Sequence, residues 1–157
     1  MPSSDADSVT SSLFDAAMGL AIEAAEDALR LGDLPIGAVV LGDGGDVLSC
    51  RHDEVASAGD PTAHASVLAL RDAAGKLGSW RLSTVTLIVT LEPCALCAGA
   101  ALAARVARVV IGVRDPTFGA LGSRYNFGAD PRLNHEFPIT EGVLAPRCAD
   151  LADRIPS

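Results

Sequence analysis

One histidine and two cysteines carry the side chains that a zinc ion prefers as ligands. Cys94 and Cys97 form a C-x-x-C pair directly after Pro93, and His64 lies upstream of them. Catalytic zinc sites use imidazole and thiolate groups as three protein ligands and keep a fourth position for water. A C-x-x-C pair alone can be a redox pair, and a single histidine alone is usually a surface or core residue. Together, in this order, they predict zinc bound by His64, Cys94 and Cys97.

Both ligand segments are expected at the start of a helix. Pro93 suits a first helical turn and precedes the alanine-rich run 95–104. Asp60 and Pro61 suit the N-cap and first position of a second helix, which would carry His64. Helix N-termini favour thiolate over thiol. We therefore expect two helix starts to bring the ligands to one point.

The apolar patterning predicts an α/β fold, a three-layer α/β/α sandwich around a mixed five-stranded sheet. The expected helices are 13–31, 63–75, 95–104 and 141–155, and the expected strands are 34–41, 46–50, 83–90, 107–113 and 137–140. Residues 1–12 are polar and acidic, which indicates a disordered leader, and residues 13–157 are expected to form a single domain.

Composition excludes some classes of protein. The chain has 49% hydrophobic and 20% charged residues, an ordinary globular balance, and has no apolar run of about 18 residues that would span a membrane. With no export signal, Cys50 and Cys148 are expected to be reduced and the location cytoplasmic. The net charge of −8 argues against non-specific nucleic-acid binding. Seven arginines in residues 105–157 allow either a basic strip near the site or scattered solvated side chains.

Four residues of these motifs match a known signature. Zinc deaminases of nucleobases carry H-x-E followed by P-C-x-x-C, and His64, Pro93, Cys94 and Cys97 fill four of its five positions. Over nearly all of residues 13–154 the chain resembles the cytidine deaminase-like superfamily, in its nucleobase deaminase and tRNA-specific adenosine deaminase branch. Other segments that resemble this branch are 109–112, 119–123, 133–135 and 139–144. The resemblance implies one zinc per subunit and a homodimer whose active site can include residues of the neighbouring subunit.

Hydrolytic deamination is the chemistry that the resemblance implies. Zinc supplies hydroxide near neutral pH, and the family's glutamate, two residues after the histidine, moves the protons. That position is Ser66, which has no carboxylate, and the backbone of Ala65 would line the base pocket. Ser66 has two explanations: an inactivating substitution made to trap a substrate, which the intact remainder of the site favours, or a natural protein that is not a deaminase. The family offers precedent for the second in editing deaminases that pair an active subunit with one lacking the glutamate.

Candidate substrate contacts point to a small substrate. Asp53 stands where relatives commonly have asparagine, and an ionised aspartate only accepts hydrogen bonds, which would suit an N–H-rich edge such as guanine or an amino-triazine. The alternative is an ordinary loop aspartate. The loop that begins at Asp115 lacks the lysine often found in tRNA enzymes, and segment 151–157 is not a basic helix. Phe118 and Phe127 are candidates to cover the base, although either could equally belong to the core.

The sequence thus favours a zinc-dependent deaminase of a free nucleobase or nucleoside (guanine, cytosine or amino-triazine type) in a form that lacks its catalytic glutamate. The expected partner is that small molecule rather than tRNA. The first alternative is a tRNA-specific adenosine deaminase that converts the wobble adenosine to inosine. The second, of a different class, is a non-catalytic zinc-binding subunit that binds nucleic acid or a partner protein.

Overall fold

A mixed five-stranded sheet lies at the centre of the computed structural model, which describes residues 3–157. The helices are α1 (Ser3–Leu31), α2 (Val55–Ala58), α3 (Ala65–Leu77), α4 (Ala95–Ala104) and α5 (Ala145–Ala152). The strands are β1 (Gly37–Leu41), β2 (Val47–His52), β3 (Thr86–Leu91), β4 (Arg108–Val113) and β5 (Ile139–Thr140). The strand order is β2-β1-β3-β4-β5, with β1 antiparallel to β2 and β3, and with β3, β4 and β5 parallel.

Helices cover both faces of this sheet. Successive side chains of a strand point to opposite faces, so Ala38 and Val40 of β1 lie in a buried cluster with α3 and α4. Val39 and Leu41 lie in a second cluster with α1 and α5. The predicted three-layer sandwich and mixed five-stranded sheet are therefore confirmed.

Helix α1 is longer than its amphipathic stripe predicted. It begins at Ser3, so that most of the segment expected to be a disordered leader forms exposed helical turns, while residues 1 and 2 lie outside the described part. The apolar stripe begins only at Leu13, and the earlier turns are formed mostly by polar residues, which have no core contact to reveal a helix in the sequence. Within residues 3–157, no helix has a stretch long and apolar enough to cross a membrane.

The entry to α3 also differs from the expectation. The helix begins at Ala65 with His64 as its N-cap residue, whereas Asp60 forms a tight turn by accepting hydrogen bonds from the Thr62 N–H (2.9 Å) and hydroxyl (2.8 Å). Aspartate side chains favour such turns as readily as helix caps. The loop expected before it contains the short helix α2.

Gly37 sets how closely α1 approaches β1. A Cβ atom at this position would overlap the carbonyl group of Ala21 in α1, so only glycine permits the observed packing distance. The Gly37 N–H donates to the Thr90 hydroxyl of β3 (3.2 Å), which satisfies a backbone group in the buried centre of the sheet.

Candidate metal centre and active site

Two helix starts at the carboxyl end of β3 form the candidate metal centre. His64 is the N-cap residue of α3, and Cys94 is the N-cap residue of α4, with Cys97 one turn inside that helix. Their three candidate ligand atoms lie within 4.8 Å of one another. The prediction that two helix starts meet at one point is thus correct, although the helix that follows His64 begins later than expected.

The spacing of these atoms suits a tetrahedral zinc ion. His64 Nδ1 lies 3.5 Å from Cys94 Sγ and 3.4 Å from Cys97 Sγ. Zinc–nitrogen and zinc–sulfur bonds of usual length at a tetrahedral angle place N and S about 3.6 Å apart. Two sulfurs and one nitrogen also leave one coordination position for water, as a catalytic zinc requires.

Of the two thiols, only that of Cys94 is strongly acidic. A hydrogen bond from the Cys97 thiol, with a further one from His64, holds the pKa of Cys94 at about 4. The same contact with Cys94, followed by burial, raises the pKa of Cys97. The hydrogen bond to Cys94 raises the pKa of His64 as well, although burial opposes that shift. The thiolate form is thus favoured at Cys94 and disfavoured at Cys97, where a bound cation would favour it.

A pocket of about 510 Å³ opens beside these three residues. Most of its wall is apolar, and the aliphatic side chains of this wall include Leu34, Ile36, Val55, Val89, Leu91 and Ile155. Cavities of this size hold one small ligand or one base, and apolar walls exclude competing water. The pocket is therefore wide enough for a purine ring held against the metal centre.

Ser66, Ala65 and Asp53, which the sequence singled out as site residues, all line this pocket. Ser66 follows His64 into the first turn of α3, and both Ser66 and Asp53 are 2% exposed. Burial raises the pKa of Asp53, although its Oδ1 accepts a hydrogen bond from the Val55 N–H at 3.1 Å. Position 66 itself therefore offers a hydroxyl group and no carboxylate.

Asp115 and Phe118 also line the pocket, but Phe127 does not. Asp115 accepts hydrogen bonds from the N–H groups of Thr117 (2.9 Å) and Phe118 (3.2 Å), which form a tight turn after β4. Phe118 is 68% exposed at the pocket, where its ring is free to meet a ligand. Phe127 packs against the core cluster under α3 and α4, so its expected substrate contact is not found in this chain.

Glu92 is a site residue that sequence reasoning missed. It lines the pocket next to Pro93, and its side chain is fully buried. Burial alone would raise the pKa of its carboxyl, but hydrogen bonds from Ser123, Asp115 and Leu121 outweigh burial and lower it. The signal in the sequence was an acidic residue at the end of an otherwise apolar buried strand.

Asp33 is a second buried acid that the sequence did not single out. It follows α1 and accepts a hydrogen bond from the Ser57 N–H of α2 at 2.9 Å. The Val55 N–H likewise donates to Asp53, so the two carboxylates satisfy free N–H groups at the first turn of α2. Two buried carboxylates thus hold α2, and with it Val55, at the edge of the pocket.

Comparisons with known proteins agree on the family. Residues 12–113 match the family model of the cytidine and deoxycytidylate deaminase zinc-binding region. The chain is 42% identical to the tRNA-specific adenosine deaminase of Haemophilus influenzae, over 92% of this chain and 84% of that protein. A solved structure from studies of A-to-I editing by tRNA:A34 deaminases has a TM-score of 0.83 at 36% identity, over 86% of this chain and 97% of that chain. A guanine deaminase from Nitrosomonas europaea has a TM-score of 0.71 at 25% identity, over 88% and 82%.

These comparisons overturn the substrate and partner that the sequence favoured. A free nucleobase or nucleoside was expected because a lysine and a basic C-terminal helix are missing, but the relatives of higher identity are named for tRNA. The reasoning failed because backbone N–H groups and uncharged side chains also bind phosphates, so a few missing cations do not exclude a nucleic acid. The inference that Asp53 recognises a guanine-like edge was therefore wrong as well, because it depended on the free-base substrate.

Zinc as the cofactor is confirmed, because the matched family model is a zinc-binding region and the chain presents a suitable His/Cys/Cys group. The deaminase class is confirmed on the same ground, together with the named relatives. With the sheet, the metal centre and the match over 12–113 in agreement, the chain belongs to the cytidine and deoxycytidylate deaminase family of zinc-binding proteins.

Proposed function

We propose that this protein is a zinc-dependent deaminase that converts an adenosine in the anticodon loop of tRNA to inosine, with release of ammonia. The observation that carries the proposal is 42% identity over 92% of the chain to a tRNA-specific adenosine deaminase. The pocket beside His64, Cys94 and Cys97 supports it, since it has room for one purine ring. We place this activity in one domain, residues 13–157, and in the cytoplasm, where tRNA is modified.

The roles of the residues follow from their places in the pocket. His64, Cys94 and Cys97 would hold zinc, and the bound metal would supply an activated water for attack on the ring carbon that bears the amine. The apolar wall keeps other water away from the base. The backbone at Ala65 lines the pocket, Asp53 accepts hydrogen bonds from substrate N–H or hydroxyl groups, and Asp115 and Phe118 contact the nucleotide from the opposite loop.

Ser66 limits the rate in this proposal. Deamination needs a proton delivered to the ring nitrogen and another to the departing amine, and a serine hydroxyl does not ionise near neutral pH. General acid–base groups contribute about 10²–10⁴-fold to rate. We therefore expect slow turnover from the chain with Ser66.

The homodimer that the resemblance implies stays a prediction, which sedimentation velocity of the purified chain would test.

The test compares the chain with its Ser66→Glu variant on a tRNA whose anticodon begins with adenosine. We expect the variant to form inosine at least about 100-fold faster at equal zinc content, because a carboxylate returns to the pocket. Inosine is read as guanosine when the tRNA is reverse transcribed and sequenced. Free adenosine, guanine and cytosine are the matched controls, followed by ammonia release.

Two outcomes would contradict the proposal. Ammonia release from a free base, without inosine in tRNA, would return the substrate to a small molecule. A zinc-loaded Ser66→Glu variant that is inactive on every substrate would place the non-catalytic zinc-binding subunit first.

A further inference from the structure

A buried carboxylate lies beneath the loop that follows β4. Residues 114–123, which form this loop, are mostly exposed, whereas the side chain of Glu92 below them is completely buried. Glu92 immediately precedes Pro93 and Cys94, so it belongs to the segment that presents the metal ligands. The loop, in turn, carries Asp115 and Phe118 to the pocket.

Glu92 accepts hydrogen bonds from both ends of the loop. Its Oε1 accepts from the Asp115 N–H at 3.1 Å and from the Ser123 hydroxyl. Its Oε2 accepts from the N–H groups of Leu121 at 3.0 Å and Ser123 at 3.1 Å. Arg114 adds an ion pair at 3.8 Å. One carboxylate therefore satisfies three backbone donors of a loop that has few strand partners of its own.

Backbone contacts align the same two segments. The Ala120 N–H donates to the Pro93 carbonyl at 2.8 Å, and the Glu92 N–H donates to the Val113 carbonyl at 2.9 Å. At Gly119 a Cβ atom would overlap the Glu92 carboxylate, so the loop passes as close to it as a backbone can. The loop and the metal-ligand segment are thus packed as one unit around Glu92.

We infer that Glu92 is a positioning residue: its buried carboxylate holds loop 114–123 against the metal-ligand segment and so keeps Asp115 and Phe118 in place for the nucleotide before it binds. The part of this inference that concerns a nucleotide rests on the proposed function. If the loop is held in its binding-competent conformation only part of the time, the apparent affinity falls by that fraction.

The test uses the zinc-loaded chain with Ser66, whose slow turnover permits equilibrium binding to an anticodon stem-loop that contains adenosine. Glu92→Gln keeps the shape of the side chain but turns an amide N–H₂ toward backbone donors. Ser123→Ala removes only the hydroxyl donor, and Ser123→Thr retains it. Asp150→Asn is the matched control, because Asp150 pairs with Arg154 at 2.9 Å on the exposed side of α5, and this pair includes neither Glu92 nor a residue of the loop.

We expect Glu92→Gln to weaken stem-loop binding roughly tenfold, which corresponds to a competent fraction of about one tenth. Ser123→Ala should have a smaller effect in the same direction, and Ser123→Thr should restore the affinity. Hydrogen exchange of the Asp115, Leu121 and Ser123 amides should be faster in Glu92→Gln and Ser123→Ala, at unchanged zinc content. Asp150→Asn should change neither measurement.

The inference is overturned if Glu92→Gln or Ser123→Ala lowers zinc content or thermal stability while amide exchange and affinity of the zinc-loaded protein stay as in the parent. Equal losses in Ser123→Thr and Ser123→Ala would also overturn it. If the parent chain itself does not bind the stem-loop, the proposed function fails instead. The exchange rates of the three amides then still decide whether Glu92 holds the loop.

Discussion

At the scale of single residues, the pocket differs from its family pattern at two neighbouring acid positions. A carboxylate is absent at Ser66, where the resemblance implies a glutamate, and one is present at Asp53, where it implies an amide. Both residues are buried in the same pocket wall. The two departures change which protons the pocket can give and accept, while the metal ligands stay as the family has them.

Asp53→Asn tests the substrate contact at that position. In a Ser66→Glu background we expect the preference among adenosine, cytidine and guanosine at the same tRNA position to change by about tenfold or more, because asparagine adds a donor that aspartate lacks. Sequencing of the three tRNA substrates after reaction gives the ratio of rates. A uniform change in all three rates would contradict a substrate contact and favour an ordinary loop aspartate.

Asp53→Asn is also expected to change the free energy of unfolding, by an amount that depends on pH. Burial raises the pKa of Asp53, so the native state binds its proton more tightly than the unfolded chain does. Folding therefore loses stability as pH rises from the unfolded value of about 4 through the folded pKa. Zinc-free Asp53→Asn should have a larger free energy of unfolding than its parent at pH 7, and this gain should disappear below about pH 4. Chemical denaturation at both pH values would measure it.

At the scale of elements, the helix starts of α3 and α4 deliver the ligands. Gly37, at the start of β1 and facing α1, sets the packing of the layers. Both features are local contacts of a few residues rather than properties of the protein surface. Each can be changed by one substitution that has a matched control elsewhere in the chain.

Removal of a metal ligand should release zinc and lower stability. Cys94→Ser should leave less than one zinc per chain by elemental analysis, and its thermal midpoint should no longer respond to a chelator. The parent should lose about 4 kcal/mol on chelation if free zinc was about 1,000 times its Kd. Cys50→Ser is the control, because Cys50 is exposed and makes its contact with the Leu20 carbonyl rather than with the metal centre. A zinc-loaded Cys94→Ser would contradict the ligand set.

Gly37→Ala should destabilise the fold, whereas Gly19→Ala should not. A methyl group at Gly37 would overlap the Ala21 carbonyl, and such overpacking costs about 1–3 kcal/mol. Gly19 lies inside α1, where an added methyl group would meet no atom within 4 Å, so alanine should stabilise the helix by up to about 1 kcal/mol. Urea denaturation of both variants would measure the two free energies. Equal effects would mean that close approach of α1 does not limit the packing.

At the scale of the whole molecule, a protein of net charge −8 is proposed to bind a polyanion. The acidic residues are concentrated before residue 105, and seven of the arginines lie in residues 105–157. Under the proposed function, we therefore expect binding of tRNA to depend on local contacts that overcome an unfavourable overall charge. That balance should be visible in the response to salt.

We expect the affinity for an anticodon stem-loop to fall steeply with salt, with a slope of about −0.7 in log–log terms for each phosphate neutralised in a single strand. The affinity for free adenosine should hardly change, because it has no phosphate. Fluorescence anisotropy between low and physiological salt would measure the first, and calorimetry the second. An affinity for the stem-loop that does not depend on salt would contradict phosphate contacts.

The sequence by itself determined the zinc cofactor, the family and the order of the strands and of the four longer helices, since these depend on local motifs and on apolar periodicity. His64, Cys94 and Cys97 could be named because ligand chemistry requires particular side chains at short spacings. Helix α4 was predicted with its observed bounds because an alanine-rich run has few alternatives to a helix. The first turns of α1 were missed because polar residues without core contacts give no such signal.

Only the tertiary structure decided what surrounds the metal centre. Glu92 and Ser123 are 31 residues apart in the chain, and no local pattern relates them; they meet because β3 and β4 are parallel neighbours whose carboxyl ends lie at one edge of the sheet. The same arrangement places Phe118 at the pocket and Phe127 against the core, although both are aromatic residues in one loop-rich stretch. Which aromatic meets a ligand is set by the path of the backbone in three dimensions, and that path depends on contacts between distant segments.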